Sequence, residues 1–394
     1  MKVLMLLTDA YGCLGGIAKF NRDFLDALNA SPRVERTTVW PRRIAGAPVE
    51  RIPESVVYER AFASGKWAYI ARALSRVVSA RIGARPAVDL VICGHIHLLP
   101  LAWLAAKAQR APLALILYGI DAWRPTSSVL ANWIARKVDG VLSISDLSAT
   151  RFRSWSKTPA DRFVIAPCCV DLALFTPGDK STALLERYGL GGCKVLMTMG
   201  RLAEDERYKG FNEIIELLPR LLQRFPALKY LVVGDGGDRA RLAHKAQLLG
   251  VDDRVVFAGA IREEEKVEHY RLADVFAMPS TGEGFGIVLI EAAACGVKLV
   301  GSSVDGSREA LLDGALGALV DPRNVDALFA ALTQALADPR PPARNDAVRV
   351  FDTPAFQARI AAWLETQAAA RAHPRDSITR RAHASEQADH ESVS

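Results

Sequence analysis

Short apolar runs rich in Val, Ile and Leu alternate along the chain with stretches of helical periodicity. These runs predict ten strands: Val3–Leu7, Leu90–Cys93, Leu113–Leu117, Gly140–Ser143, Phe163–Ala166, Val195–Met199, Tyr230–Val233, Val255–Ala258, Val275–Met278 and Lys298–Gly301. Uninterrupted apolar strands that alternate with helices are typical of parallel sheets covered on both faces. The pattern therefore predicts an α/β protein built from doubly wound sheets.

The series of strands is interrupted once, after Asp171, where a Pro-Gly pair and then a glycine cluster break the pattern. At 394 residues the chain is also about twice the usual size of one domain. We therefore expect a first domain over residues 1–175 and a second over 176–350. Apolar residues at helical spacing predict a closing helix over 351–370, and the polar segment 371–394 is expected to be disordered.

Basic residues are concentrated in the first part of the chain. Residues 1–160 contain 22 Lys and Arg against 11 Asp and Glu, whereas the net charge of the whole chain is +6. A basic half attracts anionic partners, such as a membrane surface or a phosphorylated acceptor. Nucleic acid is not expected as a partner, because no recognisable module with interleaved basic and aromatic residues is present.

One segment of this basic half, residues 59–85, predicts an amphipathic helix. It places Trp67, Tyr69, Ile70, Leu74, Val77 and Val78 among Arg60, Lys66, Arg72, Arg76, Arg81 and Arg85. Such a helix either packs on the sheet with solvated arginines, or lies in a lipid interface with its arginines on anionic head groups. The sequence leaves both alternatives open.

The cysteines and the apolar runs indicate the cellular setting. Six cysteines occur without a CxxC pair or a histidine at zinc spacing, which favours a reduced protein without a structural metal. The longest uncharged run, residues 90–106, contains two histidines, a glycine and a proline, so it is a poor bilayer span. We expect a cytoplasmic protein that is at most peripheral at the inner face of a membrane.

A glycine-rich loop follows the predicted strand at Val275–Met278. Residues 281–291 read TGEGFGIVLIE, and the apolar residues from Ile287 onward continue as a helix. Backbone amides at the carboxyl end of a parallel strand favour an anionic ligand such as a diphosphate. Glu283 and Glu291 either accept hydrogen bonds from hydroxyl groups of that ligand, or are solvated at the helix start.

Two basic residues follow the first strand of the second domain. Arg201 comes just after that strand in a Gly-Arg pair, and Lys209 precedes Gly210. Both lie at the same sheet edge as the glycine-rich loop, so they can hold a diphosphate and stabilise its charge as a leaving group. Considered singly, each would be an ordinary solvated charge.

The first domain offers glycines and polar side chains at the corresponding edge of its own sheet. Gly15 and Gly16 follow the first strand and open a helix, where they either let a ligand approach the backbone or form a plain tight turn. His95 follows the second predicted strand, and Tyr118 and Asp121 follow the third, where they either present a phenol and a carboxylate at the same edge or belong to an ordinary turn. A histidine there either exchanges a proton with a reacting sugar or satisfies loop carbonyls.

Together these motifs make the chain resemble the retaining nucleotide-sugar glycosyltransferases of glycosyltransferase family 4, over residues 1–365. The resemblance is carried by the stretch Glu283 to Glu291, Gly200-Arg201 with Lys209-Gly210, Val233-Gly-Asp-Gly-Gly, and Val170-Asp171 followed by Phe175-Thr-Pro. It implies the GT-B fold, in which two doubly wound, Rossmann-like domains face a central cleft. In this fold a C-terminal helix crosses back to the first domain.

The resemblance also implies roles for individual residues. Donor contacts are expected from Gly15, Gly16, Arg201, Lys209, Arg262, Glu283, Gly284, Phe285, Gly286, Ile287 and Glu291. Of these, Arg201 and Lys209 would hold the diphosphate, Glu283 the transferred sugar, and Glu291 the ribose. The catalytic candidates are His95, Tyr118, Arg201, Lys209 and Glu283, and Asp121 is placed on the acceptor side.

Similar enzymes transfer the sugar with retention, and no residue of this sequence is an obvious nucleophile. We expect a front-face transfer in which the leaving diphosphate accepts the proton of the acceptor. Neither a cofactor nor a metal is expected, because no acidic pair stands at a strand end near the diphosphate loops. The expected reaction moves a hexose from a UDP- or GDP-linked donor to a saccharide, lipid-linked, in cell-surface polysaccharide or glycolipid assembly.

Some positions depart from the family pattern. Tyr118 stands where many relatives carry a histidine, so either Tyr118 or His95 lies beside the reacting sugar. Seven residues separate Arg201 from Lys209, where many relatives have fewer, and residues 301–309 are unusually charged. The alternatives are another GT-B enzyme such as an epimerase, or a non-catalytic nucleotide-sugar binding module, and the presence of both Arg201 and Lys209 argues against the module.

Overall fold

A computed structural model describes the conformation of residues 1–12, 15–44, 46, 51–82, 88–341 and 343–372. Within this part of the chain two parallel sheets follow one another, and helices connect their strands. The predicted fold class, two doubly wound α/β units, is confirmed.

The first sheet has seven strands in the order β3-β2-β1-β4-β5-β6-β7. They are β1 (Lys2–Leu7), β2 (Arg36–Pro41), β3 (Val56–Tyr58), β4 (Leu90–Cys93), β5 (Leu113–Leu117), β6 (Gly140–Ser143) and β7 (Phe163–Ile165). Its helices are α1 (Gly16–Ala30), α2 (Lys66–Ile82), α3 (Leu99–Gln109), α4 (Val129–Ala135) and α5 (Asp146–Ser156).

The second sheet has six strands in the order β10-β9-β8-β11-β12-β13. They are β8 (Lys194–Met199), β9 (Leu228–Val233), β10 (Val255–Gly259), β11 (Val275–Met278), β12 (Lys298–Ser302) and β13 (Ala318–Val320). The helices are α6 (Thr182–Arg187), α7 (Phe211–Arg224), α8 (Arg239–Leu248), α9 (Lys266–Leu272), α10 (Ile287–Ala294), α11 (Ser307–Ala310), α12 (Val325–Ala337) and finally α13 (Thr353–Ala372).

Strand β1 shows why the apolar runs predicted buried parallel strands. Successive side chains of a strand point to opposite faces, and here Val3 and Met5 enter one hydrophobic cluster while Leu4 and Leu6 enter another. Helices cover both faces, so every position from the second onward is buried. All ten predicted strands are present, and strands β2, β3 and β13 were not predicted, since their apolar runs are shorter or interrupted.

Helix α13 crosses back onto the first sheet, as expected of the closing helix. The ring of Phe356 lies 5.6 Å from that of Phe20, and the ring of Trp363 lies 6.0 Å from that of Phe24, both on α1. These contacts join the end of the chain to the first helix. Residues 373–394 of the predicted disordered tail lie outside the described residues, and the domain boundaries at 175 and 350 stay predictions.

The predicted basic helix is α2, preceded by a short 3-10 turn over Arg60–Ala63. It packs on the sheet through Tyr69, which is 1% exposed, while Trp67 is 76% and Val78 58% exposed. The helix thus has a buried face and also an exposed apolar stripe; Arg85 lies outside the described residues. Among the helices that the structure describes, none is long and apolar enough to cross a bilayer.

Candidate active site

The carboxyl ends of the two sheets face each other, and their loops touch through backbone atoms. A Cβ atom built on Gly284, after β11, would lie 2.4 Å from the carbonyl oxygen of Tyr118 and 3.0 Å from Cα of Gly119, both after β5. A carbon and an oxygen atom that are not bonded to each other rarely approach closer than about 3.3 Å. Position 284 therefore has no room for a side chain. The glycine-rich loop therefore meets the first domain directly, as the cleft of the predicted fold requires.

The conformation of the glycine-rich loop is held by Asp305. Its Oδ2 accepts hydrogen bonds from the Glu283 amide at 2.9 Å and the Ser280 hydroxyl at 2.6 Å. Gly286 has φ 93°, a left-handed conformation that favours glycine, and α10 begins at the next residue. Burial raises the pKa of Glu283, and the positive charge of Lys209 opposes that shift. The loop is therefore preorganised, with Glu283 beside Lys209.

Arg201 and Lys209 converge on one carboxylate, that of Glu206. Arg201 donates hydrogen bonds to both carboxylate oxygens, and Nζ of Lys209 lies 2.7 Å from Oε2. Burial opposes ionisation of Glu206, but the hydrogen bonds from Arg201 and Lys209 prevail and hold its pKa below the ordinary value. Two cations that the sequence placed at one sheet edge thus share a single anion.

The segment that carries Lys209 is tied to the glycine-rich loop. The amide of Thr281 donates to the carbonyl of Tyr208 at 2.9 Å. The ring of Tyr208 also lies against Gly282, where a built Cβ would be 3.0 Å from the ring. These two contacts bring Lys209 and Glu283 together.

Glu291, on α10, is 1% exposed and already has hydrogen-bond partners. The hydroxyl of Tyr270 donates to its Oε2 at 2.7 Å, and Nζ of Lys266 lies 3.2 Å from Oε1. A carboxylate offers about four acceptor positions, so the ribose contact implied by the resemblance stays a prediction. The structure adds that Tyr270 and Lys266 fix the orientation of the carboxylate.

The starts of α1 and α10 face each other across the cleft. Gly15 has φ 127°, and a Cβ on Gly16 would lie 3.9 Å from Cγ2 of Ile287. One turn into α1, Nζ of Lys19 lies 2.5 Å from Asp23 Oδ1, with side chains 19% and 13% exposed. Burial disfavours the charge on Lys19, but the Asp23 carboxylate prevails and raises its pKa above the usual range.

His95 and Asp121 form the polar group of the first domain. Nε2 of His95 lies 3.9 Å from Oδ2 of Asp121, which has no hydrogen-bond partner among the described residues. Burial, followed by the neighbouring His97, lowers the pKa of His95 to about 4, and burial raises the pKa of Asp121 to about 7. The imidazole is therefore neutral at pH 7, so the contact is not an ion pair. Nδ1 of His95 accepts a hydrogen bond from the amide of His97 at 3.2 Å.

The catalytic role expected for Tyr118 does not fit its position. Its hydroxyl donates to Oδ1 of Asn21 at 2.5 Å, and its ring packs edge-on against Phe20. Burial raises the pKa of the Tyr118 phenol well above its usual value. The backbone of Tyr118 meets the glycine-rich loop while its hydroxyl turns to Asn21. The catalytic role of His95 stays a prediction.

The side chains of two residues that were predicted to contact the donor already have partners within the protein. The side chain of Phe285 is 1% exposed and packs against Phe351, so only its backbone is available to a ligand. The guanidinium of Arg262 is 75% exposed and lies 3.3 Å from the Glu265 carboxylate. Any contact of Arg262 with a nucleotide base stays a prediction.

Glu309 connects the two domains and was missed as a functional residue. Its carboxylate accepts hydrogen bonds from the amides of Asp146 and Leu147 at 2.7 and 2.8 Å, at the start of α5. Unpaired amides at a helix start favour a negative charge. The unusual charge of residues 301–309 was the available signal, since Asp305 and Glu309 both belong to that segment.

Two family models match the chain. Residues 15–169 match the model described as glycosyl transferase 4-like domain, and residues 189–349 match that of glycosyl transferases group 1. A GDP-mannose-dependent alpha-(1-6)-phosphatidylinositol monomannoside mannosyltransferase of Mycolicibacterium smegmatis is 36% identical over 61% of this chain and 66% of its own length. The Mycobacterium tuberculosis protein of the same name is 28% identical over 86% of this chain and 89% of its own length.

Solved structures share the fold. Anabaena HepE in complex with UDP superposes with a TM-score of 0.69 at 22% identity, covering 93% of this chain and all of that one. WaaG, a glycosyltransferase involved in lipopolysaccharide biosynthesis, gives 0.57 at 18%, covering 92% and 95%. The fold is thus the GT-B fold. The chain belongs to the group 1 glycosyltransferases of family 4.

Proposed function

We propose that the protein transfers a hexose, with retention, from a nucleoside-diphosphate sugar to a lipid-linked saccharide. The observation that carries this proposal is the convergence of Arg201 and Lys209 on one anion beside Glu283. Two cations at that place can bind a diphosphate and stabilise the charge it acquires as a leaving group. Across the cleft, His95 and Asp121 line the side from which an acceptor enters.

The proposed chemistry is a front-face transfer. The bond between the anomeric carbon and the diphosphate oxygen breaks, and the acceptor oxygen bonds to the same face of that carbon. The acceptor proton passes to the departing diphosphate oxygen, so no protein nucleophile is needed. Arg201 and Lys209 supply the positive charge, and for that reason we propose that neither a metal nor a cofactor is required.

GDP-mannose is the donor we propose first. Support comes from the two mycobacterial relatives, which are named GDP-mannose-dependent mannosyltransferases. UDP-linked hexoses are the alternative donors. Base selection depends on pocket shape and backbone contacts, so both nucleotides belong in the first binding experiment.

The proposed acceptor is an anionic glycolipid at the inner, cytoplasmic face of a membrane. Residues 1–160 carry the excess of basic residues, and α2 leaves Trp67, Leu74 and Val78 exposed in a stripe at helical spacing. Apolar residues flanked by arginines bind lipid interfaces that contain anionic head groups. A saccharide held by such a lipid would be presented to the first domain.

The donor site is tested by calorimetry and by transfer assays that use GDP-mannose or UDP-glucose with lipid extracts. We expect Arg201→Ala to lower turnover by about a hundredfold or more, as removal of one charge-stabilising donor does. Arg323→Ala, an exposed arginine paired with Asp321 on the second domain, is the matched control. Wild-type turnover by Arg201→Ala would refute the leaving-group role, and nucleotide binding without any transfer would favour a non-catalytic module.

Membrane binding is tested by liposome sedimentation. Trp67, Leu74 and Val78 are changed together to Ser, and the control changes the exposed Leu248 and Val325 of the second domain to Ser. We expect binding to vesicles that contain phosphatidylglycerol to fall only in the α2 variant. Equal sedimentation of both folded variants would refute the membrane proposal.

A further inference from the structure

Glu206 occupies the place where an anionic ligand of Arg201 and Lys209 would lie. Its carboxylate side chain is 15% exposed, and the side chain of Lys209 is equally buried. Among the residues that the structure describes, Glu206 is the only ion-pair partner of either cation. The two cations therefore hold an anion that belongs to the protein itself.

One carboxylate oxygen of Glu206, Oε2, already takes a donor from each of the two cations. Nζ of Lys209 lies 2.7 Å from Oε2 of Glu206, and Nε of Arg201 lies 3.3 Å from the same oxygen. A diphosphate oxygen needs the same donors at similar distances. A carboxylate and a diphosphate side by side would also repel each other. A diphosphate that uses the same two donors must therefore displace the carboxylate.

We infer that Glu206 is a built-in counter-ion that the diphosphate of the donor displaces on binding and that returns when the nucleoside diphosphate leaves. This inference rests on the proposed donor site. It makes Glu206 a positioning residue, since it acts through Arg201 and Lys209 and forms no bond with substrate. Between Arg201 and Lys209 the carboxylate reduces the repulsion of their like charges.

Displacement requires only a rotation of the Glu206 side chain. Residues 204 and 205 are exposed, and Glu206 precedes a short 3-10 turn, Arg207–Lys209, so solvent lies next to this segment. The bond between Thr281 and the carbonyl of Tyr208 holds the backbone of the segment in place. Lys209 can therefore stay beside Glu283 while Glu206 turns outward.

The first test measures binding of inorganic pyrophosphate, GDP and UDP by calorimetry. Glu206→Gln keeps the shape of the side chain and removes its charge. We therefore expect the dissociation constant of pyrophosphate, and of whichever nucleotide binds, to fall about tenfold, which corresponds to about 1.4 kcal/mol of binding free energy. Glu204→Gln is the matched control, because it makes the same chemical change at an exposed neighbouring charge that is not among the charges acting on Arg201. It should change the dissociation constant by less than about twofold.

A second readout separates displacement from a merely structural role. Without ligand, Glu206→Gln should unfold at a lower temperature than the wild type, because two like charges lose their counter-ion. Pyrophosphate should then raise its unfolding temperature by more than it raises that of the wild type. In transfer assays the inhibition constant of the product nucleotide should fall by the same factor as the dissociation constant.

Glu206→Asp keeps the charge on a shorter side chain and is the second variant if Glu206→Gln does not fold. Its affinity for pyrophosphate should lie above that of the wild type, since the shorter carboxylate reaches the two cations less well. Equal or weaker binding by a folded variant would overturn the inference and would mean that Glu206 orients the cations for the ligand. Tighter pyrophosphate binding by a protein that transfers no sugar would instead refute the proposed function alone.

Discussion

The contact at Gly284 gives a direct test of whether the two domains must touch for activity. In Gly284→Ala the new methyl group would lie 2.4 Å from the carbonyl oxygen of Tyr118. The usual contact distance is about 3.3 Å, so the overlap is about 0.9 Å. The carbonyl belongs to the backbone just after β5, so it cannot turn aside as a flexible side chain would. The two domains must then separate by about 1 Å at this contact, and we expect this to cost about 1–3 kcal/mol of stability.

A shift of that size moves the first-domain residues away from a donor held by the second domain. A misplacement of about 1 Å lowers turnover by about a hundredfold, whereas nucleotide affinity should stay within about threefold of wild type because the substitution keeps the loop amides. Turnover is measured with saturating donor, affinity by calorimetry, and separation of the domains by small-angle scattering.

The matched control for this experiment is Gly191→Ala. A Cβ at position 191 would meet no atom within 4 Å, so the same chemical change adds no overlap. We expect wild-type turnover and scattering from this control. If Gly284→Ala folds and also keeps wild-type turnover, the contact between the loops is not needed for catalysis and the reasoning is wrong.

Three further predictions concern charged groups in the cleft. Glu309→Gln weakens the hydrogen bonds to the α5 amides. We expect the free energy of unfolding, measured by urea titration, to fall by about 1–2 kcal/mol and the radius of gyration to increase. Unchanged values would contradict the proposed link between the two domains. Burial raises the pKa of Asp121 in the folded state to about 7, whereas in the unfolded chain it is about 4. The protonated carboxyl therefore stabilises the folded state fully below about pH 4, and this contribution is lost as the pH rises through 7. Asp121→Asn should therefore gain stability over wild type as the pH rises from about 4 to 7, by about 1.4 kcal/mol per pH unit, and the difference should level off above pH 7. A constant difference between about pH 4 and pH 7 would refute the assignment. Lys19→Met leaves Asp23 buried without its partner and should lower the free energy of unfolding by about 3–5 kcal/mol. The double variant Lys19→Met with Asp23→Leu should recover much of that loss. Additive losses in a double-mutant cycle would show that the pair is not coupled.

Much of the fold could be predicted because each buried strand is a local feature of the sequence. β4, β5, β6 and β11 begin and end at the predicted residues. A strand covered by helices on both faces needs apolar side chains at successive positions, and such a run is visible without knowledge of its neighbours. The short strand β3, of three residues, is held mainly by its pairing with β2, which no local pattern reports.

The location of the site could also be predicted, because the carboxyl ends of parallel strands share one edge. Arg201 and the glycine-rich loop with Glu283 follow β8 and β11, which are neighbours in the sheet, and Lys209 comes shortly after Arg201. Their convergence follows from strand order. Apolar runs alone do not specify which strands pair, so the order itself came from the tertiary structure.

The sequence by itself therefore determined the α/β architecture, the sheet edge that carries the site and the residue types placed there. Only the tertiary structure decided which neighbour each polar group has. Tyr118 turns its hydroxyl to Asn21 instead of the cleft, and Glu309 pairs with amides more than 160 residues away. The physical reason is that a buried charge or hydroxyl must be satisfied by whatever donor or acceptor the packing brings near it, and packing joins elements that are distant in the chain.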